Sequence, residues 1–502
     1  MPGVKQGKKK YWGFTSTQLA GLAAAVSIWL IMHYIVPVPK ELSQPAWSAI
    51  AVMLMMLAIW LTDALSAGTS GFLVVVLLVL TKAGAWGKAT SPSDLIGNAL
   101  SGFAQAETWL IAAAFLLGIA LVESGLGRRI TYGIMSMEFI GKSFSRIILG
   151  FSLASGVLGP FVPSSTAKTG IFIPLAQGVL NTLGIKPYAE TGKHSNNASA
   201  LIINTAWMGN TAATAFATGS AGVVSGLGIL SSVSKVSVPW IEYAYAMFLP
   251  SLVLVFGAWY LVIKMFPPEI SEVPGGVVEA KKRYQELGPV TTTEKRVCAI
   301  FALTLLLWIF ERQVALHTTF TAMLACFCLL APGLGLGMKD KDILKKMSWD
   351  AIILFGASMS LAGAISKTGA ADWLAKAIFG GIQMQGWPPV MIAGFFVVFM
   401  FITHLGFASG TAHKMTFMPI ILAFCGPLGI NPVWIGIPLV AASSNAFMLH
   451  TITPSNVIAF GTGHFPLSDM IKSGAIMTVF ASIVLTLFAA YWFPLVGIPV
   501  YK

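Results

Sequence analysis

Charge is what this sequence has least of. Only 10% of its 502 residues are Asp, Glu, Lys or Arg, where a soluble globular chain carries about 25%. A water-facing surface cannot be built from that composition. Four cysteines rule out a disulfide scaffold, and Cys326 and Cys328 have no second pair to complete a zinc site. A G-x-S-x-G nucleophile elbow is absent, and no carboxylate is placed to orient a histidine, which argues against a hydrolase. A Walker-type glycine loop is absent too, so ATP drive within the chain is not expected. Nor does a small-residue cleavage site follow the first apolar run, Gln18 to Val36; Pro37, Pro39 and Lys40 come next. We therefore read that run as a first transmembrane helix and not as a cleavable signal.

What is present is apolar length. Hydrophobic residues make up 56% of the chain and gather in runs long enough to cross a bilayer. The net charge of +12 could suggest nucleic acid, but the basic residues flank these runs, so the expected partner is lipid. Besides 18–36, spans are expected near 46–63, 66–82, 107–125, 196–230 (interrupted), 240–265, 296–311, 318–336, 349–366, 433–461 (interrupted) and 471–493. That makes about eleven transmembrane helices. Two further stretches, 145–183 and 388–424, are broken at their centres by Pro, Ser, Gly and Thr and read as re-entrant hairpins. Trp12, Trp86, Trp109 and Trp387 stand near predicted boundaries, as interfacial anchors do.

Basic residues orient the chain. With a cytoplasmic N-terminus, the inner segments 1–11, 126–146, 184–194, 264–296 and 338–347 hold 20 of the 31 Lys and Arg, in agreement with the positive-inside rule. The C-terminus then lies outside a cytoplasmic membrane. Residues 267–294, with Pro267, Pro268 and Pro274, form the linker between an N-terminal half, 1–266, and a C-terminal half, 295–502.

The halves share motifs. Ser164-Ser165-Thr166-Ala167-Lys168 stands 245 positions before Ser409-Gly410-Thr411-Ala412-His413, and Leu183-Gly184-Ile185 stands 245 before Leu428-Gly429-Ile430. At 244, Ala215-Phe216-Ala217-Thr218-Gly219 matches Ala459-Phe460-Gly461-Thr462-Gly463. Five spans separate the two hairpins, an odd number, so the second copy enters from the opposite face as an inverted repeat. Broken helices expose backbone N–H and C=O groups that are tolerable at membrane depth only beside a polar cavity. Helix N-termini meeting there suit an anion. The candidate walls are the hairpin tips, 163–169 and 408–414, and the interruptions near 209–214 and 451–456.

The paired Ser-x-Thr tips, together with Thr453-Pro454-Ser455-Asn456 and Phe460-Gly461-Thr462-Gly463-His464, resemble the divalent anion/sodium symporter (DASS) family. The resemblance implies an all-α polytopic elevator-type carrier for di- or tricarboxylates or sulfate, working as a homodimer and without a cofactor. Scaffold spans would fall within 1–106, and transport elements within 107–235 and 349–465. By matched position Ser164, Ser165 and Thr166 would contact one carboxylate and Ser409, Gly410 and Thr411 the other. Asn210, Thr453 and Pro454 would complete the pocket.

Two departures stand out. The tip Asn of the family is Ser165 in one hairpin and Gly410 in the other. Just after the tips stand Lys168 and the pair His413-Lys414. A lysine in an apolar hairpin costs on the order of 2.5–3.5 kcal/mol, and no acidic residue lies in either hairpin. These cations would replace a coupling ion, so an empty carrier would resist crossing and a loaded one would not. One-for-one exchange of dicarboxylates such as 2-oxoglutarate, malate, succinate or fumarate is the expectation; a sodium- or proton-coupled symporter is the alternative. Snorkelling of Lys168 and Lys414 to an interface, and neutral packing of His413, stay open at this stage. His404, His413, His450 and His464 lack carboxylate or thiol companions, so no metal site is expected.

Overall fold

The computed structural model describes the chain apart from residues 1–9, 12–13, 88–90, 163, 273–277, 338–339 and 408. The expected anchor Trp12, the basic residues Lys5, Lys8, Lys9, Lys88 and Lys339, the linker's Pro274 and the first residue of each tip, Pro163 and Ala408, lie outside the described residues. Within them the chain is almost wholly helical, as backbone in hydrocarbon must satisfy its own hydrogen bonds. Two-residue strands, Lys10–Tyr11 and Phe14–Thr15, pair antiparallel ahead of the first helix.

Among the described residues six helices are long and apolar enough to cross a membrane: Ser16–Ile35, Gln44–Leu61, Ala106–Glu123, Trp240–Met265, Trp349–Lys367 and Leu467–Leu495. Six shorter apolar helices accompany them. Large apolar side chains such as Phe72, Leu80 and Leu495 stand exposed, as lipid-facing residues do. Of the expected interfacial tryptophans, Trp109 is half exposed, but Trp86 is buried and is no anchor; its ring lies under the ammonium of Lys367, 5.2 Å away.

Both centrally broken stretches are helix pairs, Phe144–Leu158 with Ser165–Thr182 and Pro389–His404 with Gly410–Cys425. The interrupted spans are Asn196–Thr211 with Ala221–Ser234, and Pro432–Ser444 with Pro454–Gly461. Their breaks fall at 212–220 and 445–453, not at 209–214 and 451–456. The restart is set by cap chemistry. Ser220 and Thr453 each stand in extended backbone and accept the N–H three residues on, as N-caps do.

One order of elements occurs twice. Helices beginning at Ala106, Leu126, Phe144 and Ser165 are followed 243–245 residues later by helices beginning at Trp349, Ala370, Pro389 and Gly410. Left-handed glycines, Gly125 and Gly369, open the second member of each series. Beyond the hairpins the second copy has a shorter connection, and the offset falls to 236 at Asn196 and Pro432. The sequence match at 244 therefore pairs unlike places: Ala215–Gly219 lies in the first break, and Ala459–Gly463 closes the helix Pro454–Gly461.

The segment 267–294 is more than a tether. It contains the helix Val278–Glu286, packed on Leu126–Met135. Arg129, on that second helix, donates to the carbonyls of Leu287, Gly288 and Pro289 at 3.0–3.3 Å. Its Nε and Nη2 also reach both carboxylate oxygens of Glu294, at 2.7 and 3.1 Å. Glu294 in turn accepts the backbone N–H of Thr291 at 2.7 Å, closing a capping box on the helix Thr292–Ile309.

The hydrogen bond from Arg129, reinforced by Thr291, holds the Glu294 carboxyl below its ordinary value of 4.5. A depressed carboxyl stabilises the fold fully above that ordinary value and loses the effect as pH falls through the lowered one. Removing one partner of a buried pair costs roughly 3–5 kcal/mol. Glu294→Gln should thus lower the melting midpoint in detergent at pH 7 and blunt its fall on acidification. An unchanged midpoint and an unchanged acid limb would contradict this.

Candidate functional site

Four helices begin at one place. Ser164, Ser220, Ser409 and Thr453 cap the helices starting at Ser165, Ala221, Gly410 and Pro454, and all four line a single cavity of about 320 Å³. Each cap oxygen accepts a backbone N–H: Ala167 at 3.1 Å, Val223 at 3.1 Å, Ala412 at 3.4 Å and Asn456 at 3.4 Å. The remaining first-turn N–H groups have no partner within their own helix, each helix end carrying about half a positive charge. No carboxylate lines this space among the described residues. Its volume suits a small ligand, since ligand cavities run about 300–1,000 Å³.

All nine pocket residues expected from sequence line this one cavity: Ser164, Ser165, Thr166, Asn210, Ser409, Gly410, Thr411, Thr453 and Pro454. Asn210 reaches it from the last turn of the helix Asn196–Thr211 and not from the break itself. Pro454 sits at the first helical position, where its missing N–H costs nothing. Gly410 permits a close approach: a Cβ there would stand 2.8 Å from the Ser443 carbonyl.

The cations are placed differently from one another. Lys168 and Lys414 are both fully buried, so neither snorkels. Lys168 Nζ donates to the Gly219 carbonyl at 3.3 Å, in the first break. Lys414 Nζ donates to Ser443 and Gly410 at 3.2 and 3.3 Å, at the second break, and lines the cavity. His413 does not line it. Its Nε2 meets Thr403 Oγ1 at 2.8 Å, and its ring packs among His404, Phe407 and Phe417. The reason is helical pitch: His413 and Lys414 are neighbours about 100° apart on one helix, so one faces the cavity and the other the packing between hairpin arms.

Ser220, Ser443 and Ser444 line the cavity without having been expected from sequence, and so does His404. It closes the first arm of the second hairpin, lines the cavity, is 2% exposed, and has no hydrogen-bond partner on either ring nitrogen. Sequence reading weighed it only as a metal ligand, although its place five residues before the tip cap Ser409 was a usable signal. Groups of three or more metal-ligating side chains do not occur among the described residues. A strut joins the two breaks: Thr211 Oγ1 donates to Asn445 Oδ1 at 2.9 Å. Asn456 Nδ2 donates to the carbonyls of Ala446 and Leu449, both at 3.0 Å.

The sodium:sulfate symporter transmembrane region, as a family, matches residues 16–498. A spinach (Spinacia oleracea) protein named dicarboxylate transporter 2, chloroplastic, is 27% identical over 96% of this chain and 84% of its own length. The sodium-dependent dicarboxylate transporter SdcS of Staphylococcus saprophyticus is 26% identical over 97% of this chain and 93% of its own. Among solved structures, Neisseria gonorrhoeae MtrF, from a class described as antimetabolite efflux pumps, aligns with a TM-score of 0.54. It has 12% identity over 95% of this chain and 99% of its own, a likeness of fold alone.

Four N-termini without an opposing carboxylate should bind small dianions. Malate, succinate or sulfate should raise the melting midpoint of the purified protein. Each lost cap costs about 1 kcal/mol of stability, so Ser164→Ala with Ser409→Ala should stay folded while the anion-dependent rise vanishes. A full rise in the double variant would remove the tips from the site.

Proposed function

The chain belongs to the sodium:sulfate, or divalent anion/sodium, symporter family, and we propose that it exchanges C4 and C5 dicarboxylates one for one. It is a multi-pass membrane transporter and not an enzyme. The substrates we assign are 2-oxoglutarate, malate, succinate and fumarate, taken by the cavity of Ser164, Ser165, Thr166, Asn210, Ser409, Gly410, Thr411, Thr453 and Pro454. The names of the spinach and staphylococcal relatives support the dicarboxylate class.

One observation carries exchange over sodium-driven uptake. The break carbonyls that a coupling cation would use already accept from tethered ammonium groups, Gly219 from Lys168 and Ser443 from Lys414. A dianion arriving beside Lys414, with Lys168 behind the cavity wall on the Gly219 carbonyl, leaves a nearly neutral body. Without it, two uncompensated charges must pass through hydrocarbon, at several kcal/mol each. Crossing is therefore permitted loaded and opposed empty, which is obligatory exchange.

The moving body in this reading comprises the two hairpins and the two broken helices, carried as an elevator within a homodimer. The two-fold order of elements supports an inverted repeat. Ala106–Glu123 and Trp349–Lys367 open the two sets of transport elements, 107–235 and 349–465, and pack on Thr318–Leu330 and Ala67–Leu80 respectively. The positive-inside count supports a cytoplasmic N-terminus.

Sodium coupling is the second reading, and a specific feature favours it. Thr169 Oγ1 and Ser455 Oγ are buried without partners, and both lie beside Gly209, where a Cβ would stand 3.2 and 3.4 Å from them. In proteoliposomes, uptake of labelled malate should require internal dicarboxylate and be indifferent to sodium. Lys414→Gln should cut exchange by at least tenfold. Uptake into empty vesicles that rises with a sodium gradient would decide for symport.

A further inference from the structure

A second polar cavity, of about 300 Å³, lies at the far end of the helices that wall the central one. Glu123, the end of the helix Ala106–Glu123, pairs with Lys346 at 2.8 Å, just ahead of Trp349–Lys367. Arg129, six residues after Glu123, holds the linker. These ends therefore share the linker's face of the membrane. The opposite ends, at Gln105 and Lys367, lie about 27 Å away along helices of 18–19 residues, and both line the second cavity.

Its charged groups are two exposed lysines, Lys235 and Lys367, ringed by Ser101, Ser231, Ser237 and Ser366. No carboxylate lines it among the described residues. Glu107 lies against Gly228, about one turn deeper, and Asp372 lines the adjoining cavity that shares Ser366. Lys235 Nζ donates to the Ser232 carbonyl at 2.9 Å, and Lys367 rests on the Trp86 ring.

Balancing a helix end is the plain explanation for each lysine, since Lys235 caps Ala221–Ser234 and Lys367 closes Trp349–Lys367. Two helix ends supply only about −0.5 each. Against two ammonium groups that leaves a net charge of about +1 in a concave, hydroxyl-lined space.

We propose that this cavity is a staging site for a small dianion on the membrane face opposite the linker. The transported dicarboxylate is held there by Lys235 and Lys367 before it enters the central cavity. The helix Ala221–Ser234 joins the two places, with Ser220 and Gly222 in the central cavity and Ser231 and Ser232 in this one. The choice of a dicarboxylate as the anion rests on the function proposed above.

The test measures KM for labelled malate on each face, in right-side-out and inside-out vesicles. Lys235→Gln with Lys367→Gln should raise KM about tenfold on the face opposite the linker at low ionic strength. Maximal flux and KM on the linker face should stay unchanged, which also reports an intact fold. Salt should raise the wild-type KM toward the variant's, and Lys235→Arg with Lys367→Arg should restore the wild-type value. Equal shifts on both faces, or none, would overturn the proposal. So would an effect that disappears in vesicles of zwitterionic phosphatidylcholine, which would assign the site to the headgroup of a net-anionic lipid. Sodium dependence of flux bears on the exchange reading alone and leaves the difference between faces intact.

Discussion

The structure depends on one constraint: helices broken inside the membrane must find partners for the backbone groups they expose. Each unsatisfied group in hydrocarbon costs several kcal/mol. Here the restarting ends are capped by Ser164, Ser220, Ser409 and Thr453. Carbonyls beside the finishing end of Pro432–Ser444 are met by Lys414 and Asn456, and the one just ahead of the cap Ser220 is met by Lys168. The capped ends still have donors to spare, and all four face one cavity. A solution to backbone satisfaction thereby also gathers four positive helix ends around one cavity.

The second half of that solution is electrostatic. A lysine is a costly way to occupy a carbonyl, because taking its ammonium out of water carries a desolvation penalty. Asn456 does the same work without charge for Ala446 and Leu449. Two lysines thus stand at carbonyls in and beside the breaks, where an amide serves elsewhere. The strut from Thr211 to Asn445 links the end of the helix Asn196–Thr211 to the second break.

Much of this was legible in the sequence, and the exceptions have physical reasons. Composition and apolar length pointed to the membrane, and the Ser-x-Thr tips pointed to nine residues that do meet in one cavity. The breaks were misplaced by a few residues: Asn210 and Thr211 look like breakers, yet the first helix runs on to Thr211. The second helix stops at Ser444, earlier than expected, and the caps Ser220 and Thr453 set both restarts. The match at 244 misled because a shorter connection in the second half shifts the register. His413 and Lys414, adjacent in sequence, point to different surroundings, and one-dimensional reading has no means of dividing them. His404 was overlooked for the opposite reason: it lies outside the motif and joins the cavity only because the hairpin folds back.

The grip of Arg129 on the linker has an evolutionary corollary. Three of its contacts are to the carbonyls of Leu287, Gly288 and Pro289, and a carbonyl is offered by every amino acid alike. The bridge between the halves is thus anchored by its main chain. Its side chains there are free to drift between lineages, provided the loop keeps its length and the arginine keeps its carboxylate neighbour.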